Sequence, residues 1–361
     1  MNTTIEYRCP NCNATLRFDS QVQQLTCDYC ETELTTEAIR EYSDTLHTTE
    51  DKDCEWESYG PNDGSGTWST SESNDLVVHI CKSCGGEIVA EKTTAVTACP
   101  YCDNNVFVPS QFSDDLKPDY VIPFKLNKEQ AKSALRGFYK GKVLLNPLFK
   151  TENHLDEVRG VYVPFWLFDC DTDSDIHYKA TKVRHYSDSK FNYTETKHYS
   201  VKRGGSANFY KIPADGSSKM DDTTMESMEP YHYKDLVEFD LSYFAGYLAD
   251  KYDVDSKELQ NRVNTRIHNS LVEAFRPRGY NTTVVQGANI RATDRKVSYA
   301  LLPVWILNTK YKGMLHTFMI NGQTGKVVGK LPIDKLRCAG LFCSIAGLIS
   351  LITCGGAIFL L

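Results

Sequence analysis

The sequence lacks an excess of positive charge, a complete nucleotide-binding loop and a hydrophobic N-terminus. Each absence removes a class of function. With Lys+Arg 40 against Asp+Glu 47 in 361 residues, the net charge is -7, which argues against an overall cationic nucleic-acid binder. Thr324-Gly325-Lys326 and Gly137–Lys142 each offer a fragment of a phosphate loop. Neither completes G-x-x-x-x-G-K-[ST], and Val143 stands where the second would need a hydroxyl. The opening MNTTIEYRCPNC has no apolar run, so no secretory signal is expected. Hydrophobic residues at 41% and charged ones at 24% exclude a wholly disordered chain.

What is present is unevenly placed. Residues 1–110 hold nineteen acids and six bases, a net of -13, while the remaining 251 residues hold 28 acids and 34 bases, a net of +6. Of the 13 cysteines, nine lie in 1–102, one is Cys170, and three fall in the last 24 residues.

Eight of the nine early cysteines are patterned. Cys9-x-x-Cys12 is followed after fourteen residues by Cys27-x-x-Cys30, and Cys81-x-x-Cys84 after the same interval by Cys99-x-x-Cys102. Two residues between thiolates let a tight knuckle aim both sulfurs at one ion, and the interval supplies a hairpin that returns the second knuckle. The expectation is two small zinc ribbons, with eight ligands and two structural zinc ions. Four thiolates per ion leave no open position for chemistry. Strand-like text fills the intervals at 15–18, 23–26, 87–90 and 96–98, and Leu76–Ile80 leads into Cys81. Cys54, Cys170, Cys338, Cys343 and Cys354 stand outside the pattern and are read as packing residues.

From Ala339 to Leu361 run 23 residues without a charge. As a helix they would extend roughly 34 Å, so a transmembrane segment is expected at 336–361. Lys330, Lys335 and Arg337 on its flank would place the bulk of the chain in the cytoplasm, on a single-pass cell-membrane protein.

Between these ends, residues 111–335 read as one α+β domain rich in antiparallel strands. The expected partition is 1–48 first ribbon, 49–75 acidic linker, 76–110 second ribbon, 111–335 α+β domain and 336–361 span. Trp56, Tyr59 and Trp68 are unusual in a linker and are expected on the second ribbon. Asn127 can cap a helix carrying Ala131, Ala134, Leu135 and Phe138 on one stripe, ended by Gly141. A second helix is expected over 239–252 with Asp240 as cap, and a third over 256–276, before Pro277.

Two segments repeat. Val163-Pro164-Phe165-Trp166-Leu167 aligns with Leu302-Pro303-Val304-Trp305-Ile306. Each precedes strand-rich text, which suggests an internal pseudo-repeat with buried tryptophans. Pro164 and Pro303 point to strand starts or bulges. Asn321-Gly322 is a turn pair.

Strands 176–212 carry Lys179, Lys182, Arg184, Lys190, Lys197, Lys202, Arg203 and Lys211 against Asp188 and Glu195, interleaved with tyrosines. Such a face suits single-stranded nucleic acid, anionic lipid heads, the acidic ribbon module, or simply solvent. Asp169, Asp171, Asp173 and Asp175 alternate just upstream, with His177, His185 and His198 beyond. The alternation could offer carboxylates to a cation, but no EF-hand pattern continues it. No catalytic site is read.

The repeated CPxC…CxxC ribbon, the VPFW segment and the YKG…FMINGQTGKVVGKLP ending resemble bacterial TFIIB-type zinc-ribbon proteins with a C-terminal membrane segment. These are sometimes labelled primosomal-helicase-like, a label this sequence does not support. The resemblance implies zinc binding and membrane association. The expected function is a zinc-binding, membrane-anchored scaffold or adaptor whose acidic ribbons recruit a protein partner. The alternative is a membrane-associated nucleic-acid-binding protein using strands 176–212.

Overall fold

The computed structural model describes residues 16–19, 24–27, 33–35, 56, 68, 73, 75–91, 98–104, 107–111, 116–146, 149 and 157–359. For 17–19, 91, 107–111 and 351–359 only the backbone is described. The chain divides into two compact units: one of Met1–Ser58, Phe168–Ile212 and Lys257–Val297, the other of Tyr59–Leu167, Pro213–Ser256 and Ser298–Leu361.

In the first unit, β1 (Arg17–Asp19), β2 (Gln24–Thr26) and β3 (Glu33–Leu34) form a three-stranded antiparallel sheet with Phe18 opposite Leu25 and Leu25 opposite Leu34. This is the hairpin expected between the first two knuckles.

The second unit is built on β4 (Leu76–Cys81), β5 (Glu87–Glu91), β6 (Phe107–Gln111) and β7 (Tyr120–Val121). With them run β8 (Arg159–Ser187), β10 (Val237–Glu238), β11 (Leu248–Asp250) and β12 (Thr282–Tyr311), in the order β10-β7-β12-β8-β11-β5-β4-β6. β13 (Met314–Asn321) and β14 (Val327–Gly329) extend it from β12. Its face buries Ile88, Val161, Val163, Leu167, Leu302 and Ile306 together with Met225 and Met228. Helix α1 (Lys128–Tyr139) closes a second core with Ala131 and Leu135 on Phe149, Leu307 and Phe318. Its start follows from the Asn127 cap, whose side chain accepts from the Gln130 N–H while Gln130 accepts from the Asn127 N–H.

β8 and β12 contribute residues to both units. In the first unit, β9 (Asn192–Asp215) pairs with β8, and helix α3 (Ser256–Ala274) packs its Val263, Ile267 and Leu271 stripe inward. α2 (Asp222–Ser227), in the second unit, is a short helix capped by Asp221. The helix expected over 239–252 does not form. Asp240 caps a single 3-10 turn, Leu241–Phe244, and Gly246 at φ 79° then redirects the chain into β11. Pro164 and Pro303 lie inside β8 and β12 rather than at strand starts.

The repeated Pro-x-Trp segments mark two junctions with the same backbone wiring. β11 runs parallel to β8, pairing Leu248 with Val161, and β7 runs parallel to β12, pairing Tyr120 with Ala300. In each case the partner lies three residues before the proline. The Gly216 N–H donates to the Pro164 carbonyl at 2.9 Å, and the Gly322 N–H to the Pro303 carbonyl at 2.8 Å. The Gly216 carbonyl accepts from the Asp253 and Val254 N–H groups, and the Gly322 carbonyl from those of Lys125 and Leu126. The Trp166 indole N–H donates to the Val254 carbonyl at 2.9 Å, and that of Trp305 to the Leu126 carbonyl at 3.0 Å. A helix starts two residues later in both. Each otherwise orphaned backbone group near a buried proline thus finds a partner.

Two features of the expected fold class are corrected. One four-cysteine cluster, not two ribbons, is present among the described residues. The expected span at 336–361 is also overturned. Helix α4 is Lys335–Phe359, but among the described residues no helix is long and apolar enough to cross a membrane. Lys335 and Arg337 occupy the first turn of α4. With the span go attachment through 339–361, the single-pass cell-membrane location and contact with anionic lipid head groups.

Candidate metal centre

The local fold brings four thiols together from two matching knuckles. β4 delivers Cys81 at its end. The chain turns through Cys84, and the Gly85 N–H donates to the Cys81 carbonyl at 2.9 Å while the Cys81 N–H donates to that of Gly86. In the second knuckle the Asp103 N–H donates to the Cys99 carbonyl at 3.0 Å, and the Cys99 N–H to that of Asn104. Each knuckle closes on a left-handed residue, Gly85 at φ 71° and Asp103 at φ 61°, the conformation in which glycine and short polar residues cost least.

The four sulfurs lie within 4.8 Å of one another. Cys81 and Cys102 are 3.6 Å apart, and Cys84 and Cys99 are 3.7 Å apart. A tetrahedron with zinc–sulfur bonds of about 2.3 Å has edges of about 3.8 Å, so the spacing fits one ion. Cys81 and Cys99 are buried. Burial works to raise the Cys81 thiol, but N–H donors of Cys84 and Ser83 outweigh it and bring the pKa to about 7. Burial raises Cys84 and, more strongly, Cys99. A divalent ion would hold all four as thiolates. The cluster is consistent with a single structural zinc site.

This centre is part of the sheet's core. Cys81, Cys99 and Tyr101 pack with Ile88, Val163 and Ile306. The Asn308 amide donates to the Pro100 carbonyl at 2.7 Å, and Arg159 donates to the Cys99 carbonyl at 3.2 Å and pairs with Asp103 at 3.4 Å. β8 and β12 therefore both grip the second knuckle. Arg159 and Asn308 carry no motif that sequence reasoning could have found.

Of the other expected ligands, Cys27 is buried beside the small sheet, and Cys9, Cys12 and Cys30 lie outside the described residues. So do Tyr59 and most of the acidic segment expected to recruit a protein partner. Trp56 and Trp68 do not share one ribbon. Trp56 packs on Phe168 at 4.9 Å and donates to Asn264, within the first unit, whereas Trp68 packs on Phe239 at 5.6 Å in the second.

The alternating aspartates are spread along a strand pair and separately engaged. Asp169 holds Lys211, Asp171 accepts from Asn208, and Asp173 accepts from Ser206. His177 is buried, while His185 and His198 are exposed. Aromatic side chains of the basic strands contact one another and neighbouring cations, while Phe191 and Tyr210 stay exposed. Tyr186 stacks on Tyr193 at 5.1 Å, Arg184 lies over Tyr186, and Lys182 lies over Tyr199 and Tyr280. The membrane-associated nucleic-acid alternative loses its anchor, since among the described residues no helix is long and apolar enough to cross a membrane.

No family model matches the chain, and no solved structure matches it. The expected membership of the TFIIB-type membrane family is therefore not upheld. A full-length relative does exist: the uncharacterized protein YdjG of Bacillus subtilis (strain 168) is 32% identical over 362 residues, covering 98% of this chain and 99% of its own length. The chain thus belongs to the same family as YdjG.

Proposed function

We propose that the protein is a zinc-binding scaffold in which the metal is structural. The observation that carries this reading is the closed set of four cysteine sulfurs whose knuckle carbonyls are held by Arg159 and Asn308. An ion there has no free coordination position for substrate or water. It does have a mechanical role, because it joins the β4–β5–β6 edge to the strands that carry the two Pro-x-Trp junctions. The matching spacing of Cys9, Cys12, Cys27 and Cys30 supports a second zinc of the same kind.

Metal content tests this. Full-length protein prepared without chelator is expected to carry two zinc ions per chain by elemental analysis. C81S/C84S and C9S/C12S should each lose one. A zinc-free wild type with unchanged folding sinks the reading, and a single zinc lost only from C81S/C84S removes the second ion alone.

A further inference from the structure

In the first unit, helix α3 covers its sheet face over only part of the length of the strands. The Tyr178 hydroxyl donates to the Val272 carbonyl at 2.8 Å, and a Cβ at Gly205 would lie 3.1 Å from the Phe275 ring. α3 ends at Ala274, so its cover stops near these positions. Alternate residues of β8 and β9 carry the same face onward. Lys182 and Arg184 stand there on β8, and Lys197 and Arg203 on β9. Lys182 lies 5.8 Å over Tyr199, and Arg184 lies over Tyr186, which stacks on Tyr193. All four cations are exposed, and the face offers them one acid, Glu195, 3.2 Å from Lys197.

The chain supplies a matching segment. Residues 36–55, outside the described residues, hold seven acids and two bases, a net of -5. Both flanks belong to the first unit: β3 ends just before the segment at Leu34, and Trp56 follows it. Trp56 is 5% exposed, packs on Phe168 and donates to Asn264 of α3 at 3.0 Å. One end of the acidic segment is therefore pinned beside α3. From Phe168 to Lys182 the strand advances about 46 Å, while twenty extended residues span about 66 Å, so the segment is long enough. A tethered segment also acts at an effective concentration in the millimolar range, above that of a free acidic partner.

We propose that residues 36–55 dock on the cationic face of Lys182, Arg184, Lys197 and Arg203, beyond the end of α3. The pairs form between exposed groups, so the contact is salt-sensitive and draws on the number of charges and the tether rather than on any single pair. The chain thereby covers its own cationic strands and keeps other anions off them.

The test couples carboxylates to amines with a carbodiimide in dilute full-length protein, using an equal mixture of isotope-labelled and unlabelled chains. Cross-links from acids of residues 36–55 to Lys182 or Lys197 are expected within single chains. The Lys251–Glu87 pair, 3.2 Å apart, is the coupling control. At about 1 M salt, where the Debye length is about 3 Å, the yield should fall about threefold or more. R184E/R203E removes two of the four cations without touching the coupled lysines, and should lower the yield as far. No cross-link to Lys182 or Lys197 beside a formed control overturns the proposal whether or not the variant folds. Cross-links found only between labelled and unlabelled chains overturn it as well, as does a folded variant with undiminished yield.

Discussion

The junction around Trp166 and the junction around Trp305 do one structural task with different side chains. Each buries a tryptophan whose indole caps the carbonyl just before a helix, and each uses a glycine to bond a strand proline. They diverge in the residues beside that frame: aspartates, serine and Tyr252, whose ring lies 5.5 Å from Trp166, at one, and asparagine, isoleucine and Phe124, whose ring lies 5.1 Å from Trp305, at the other. Backbone satisfaction is the shared requirement, and the remaining side chains are free to specialise.

The strongest way to break both is to remove the tryptophans. W166A and W305A should each cost about 3–5 kcal/mol by chemical denaturation. A cost at one site only would show that the frames are not equivalent. Glycine substitutions should separate them next. A Cβ at Gly322 would lie 2.7 Å from the Phe124 ring and 2.8 Å from Pro303, whereas at Gly216 the nearest atoms are 3.3 Å away. G322A should therefore cost about 1–3 kcal/mol and G216A under about 1 kcal/mol. Equal costs would contradict the packing difference.

The charge difference gives a pH-dependent prediction. Burial raises Asp250 from 3.8 to about 7. Below about pH 4 the carboxyl is protonated both folded and unfolded and costs nothing. From about pH 4 to 7 the folded chain binds more protons than the unfolded one, so stability falls as pH rises, and the penalty is complete above about 7. D250N should be near neutral at pH 4 and stabilising at pH 8; a flat difference across that range contradicts the assignment. The smallest effect belongs to the helix cap of the second junction, where N127A should cost about 1 kcal/mol in a urea melt.

Much of this was legible in the sequence, and the reasons for the rest are physical. Cys-x-x-Cys spacing announced the knuckles because metal geometry fixes it locally. The repeated Pro-x-Trp text announced buried tryptophans. The parallel partners of those strands were not legible, because Tyr120 and Leu248 share no side-chain signature and only backbone pairing relates them. Asp250 fell inside the helix expected over 239–252 and carried no signal of its own. Its burial depends on Gly246 ending that stretch early, and on Tyr101 arriving from a segment about 150 residues away. The apolar C-terminal run suggested a span by composition alone, and no described helix bears it out.

The most direct measurement is amide hydrogen exchange of the full chain with zinc bound and after its removal. The scaffold reading predicts that protection is lost beyond the knuckles, along β4 and β5 and into residues 159–167 of β8 and 300–308 of β12, because Arg159 and Asn308 hold the second metal-bearing turn. Faster exchange confined to residues 81–86 and 99–104, or no change at all, would contradict it.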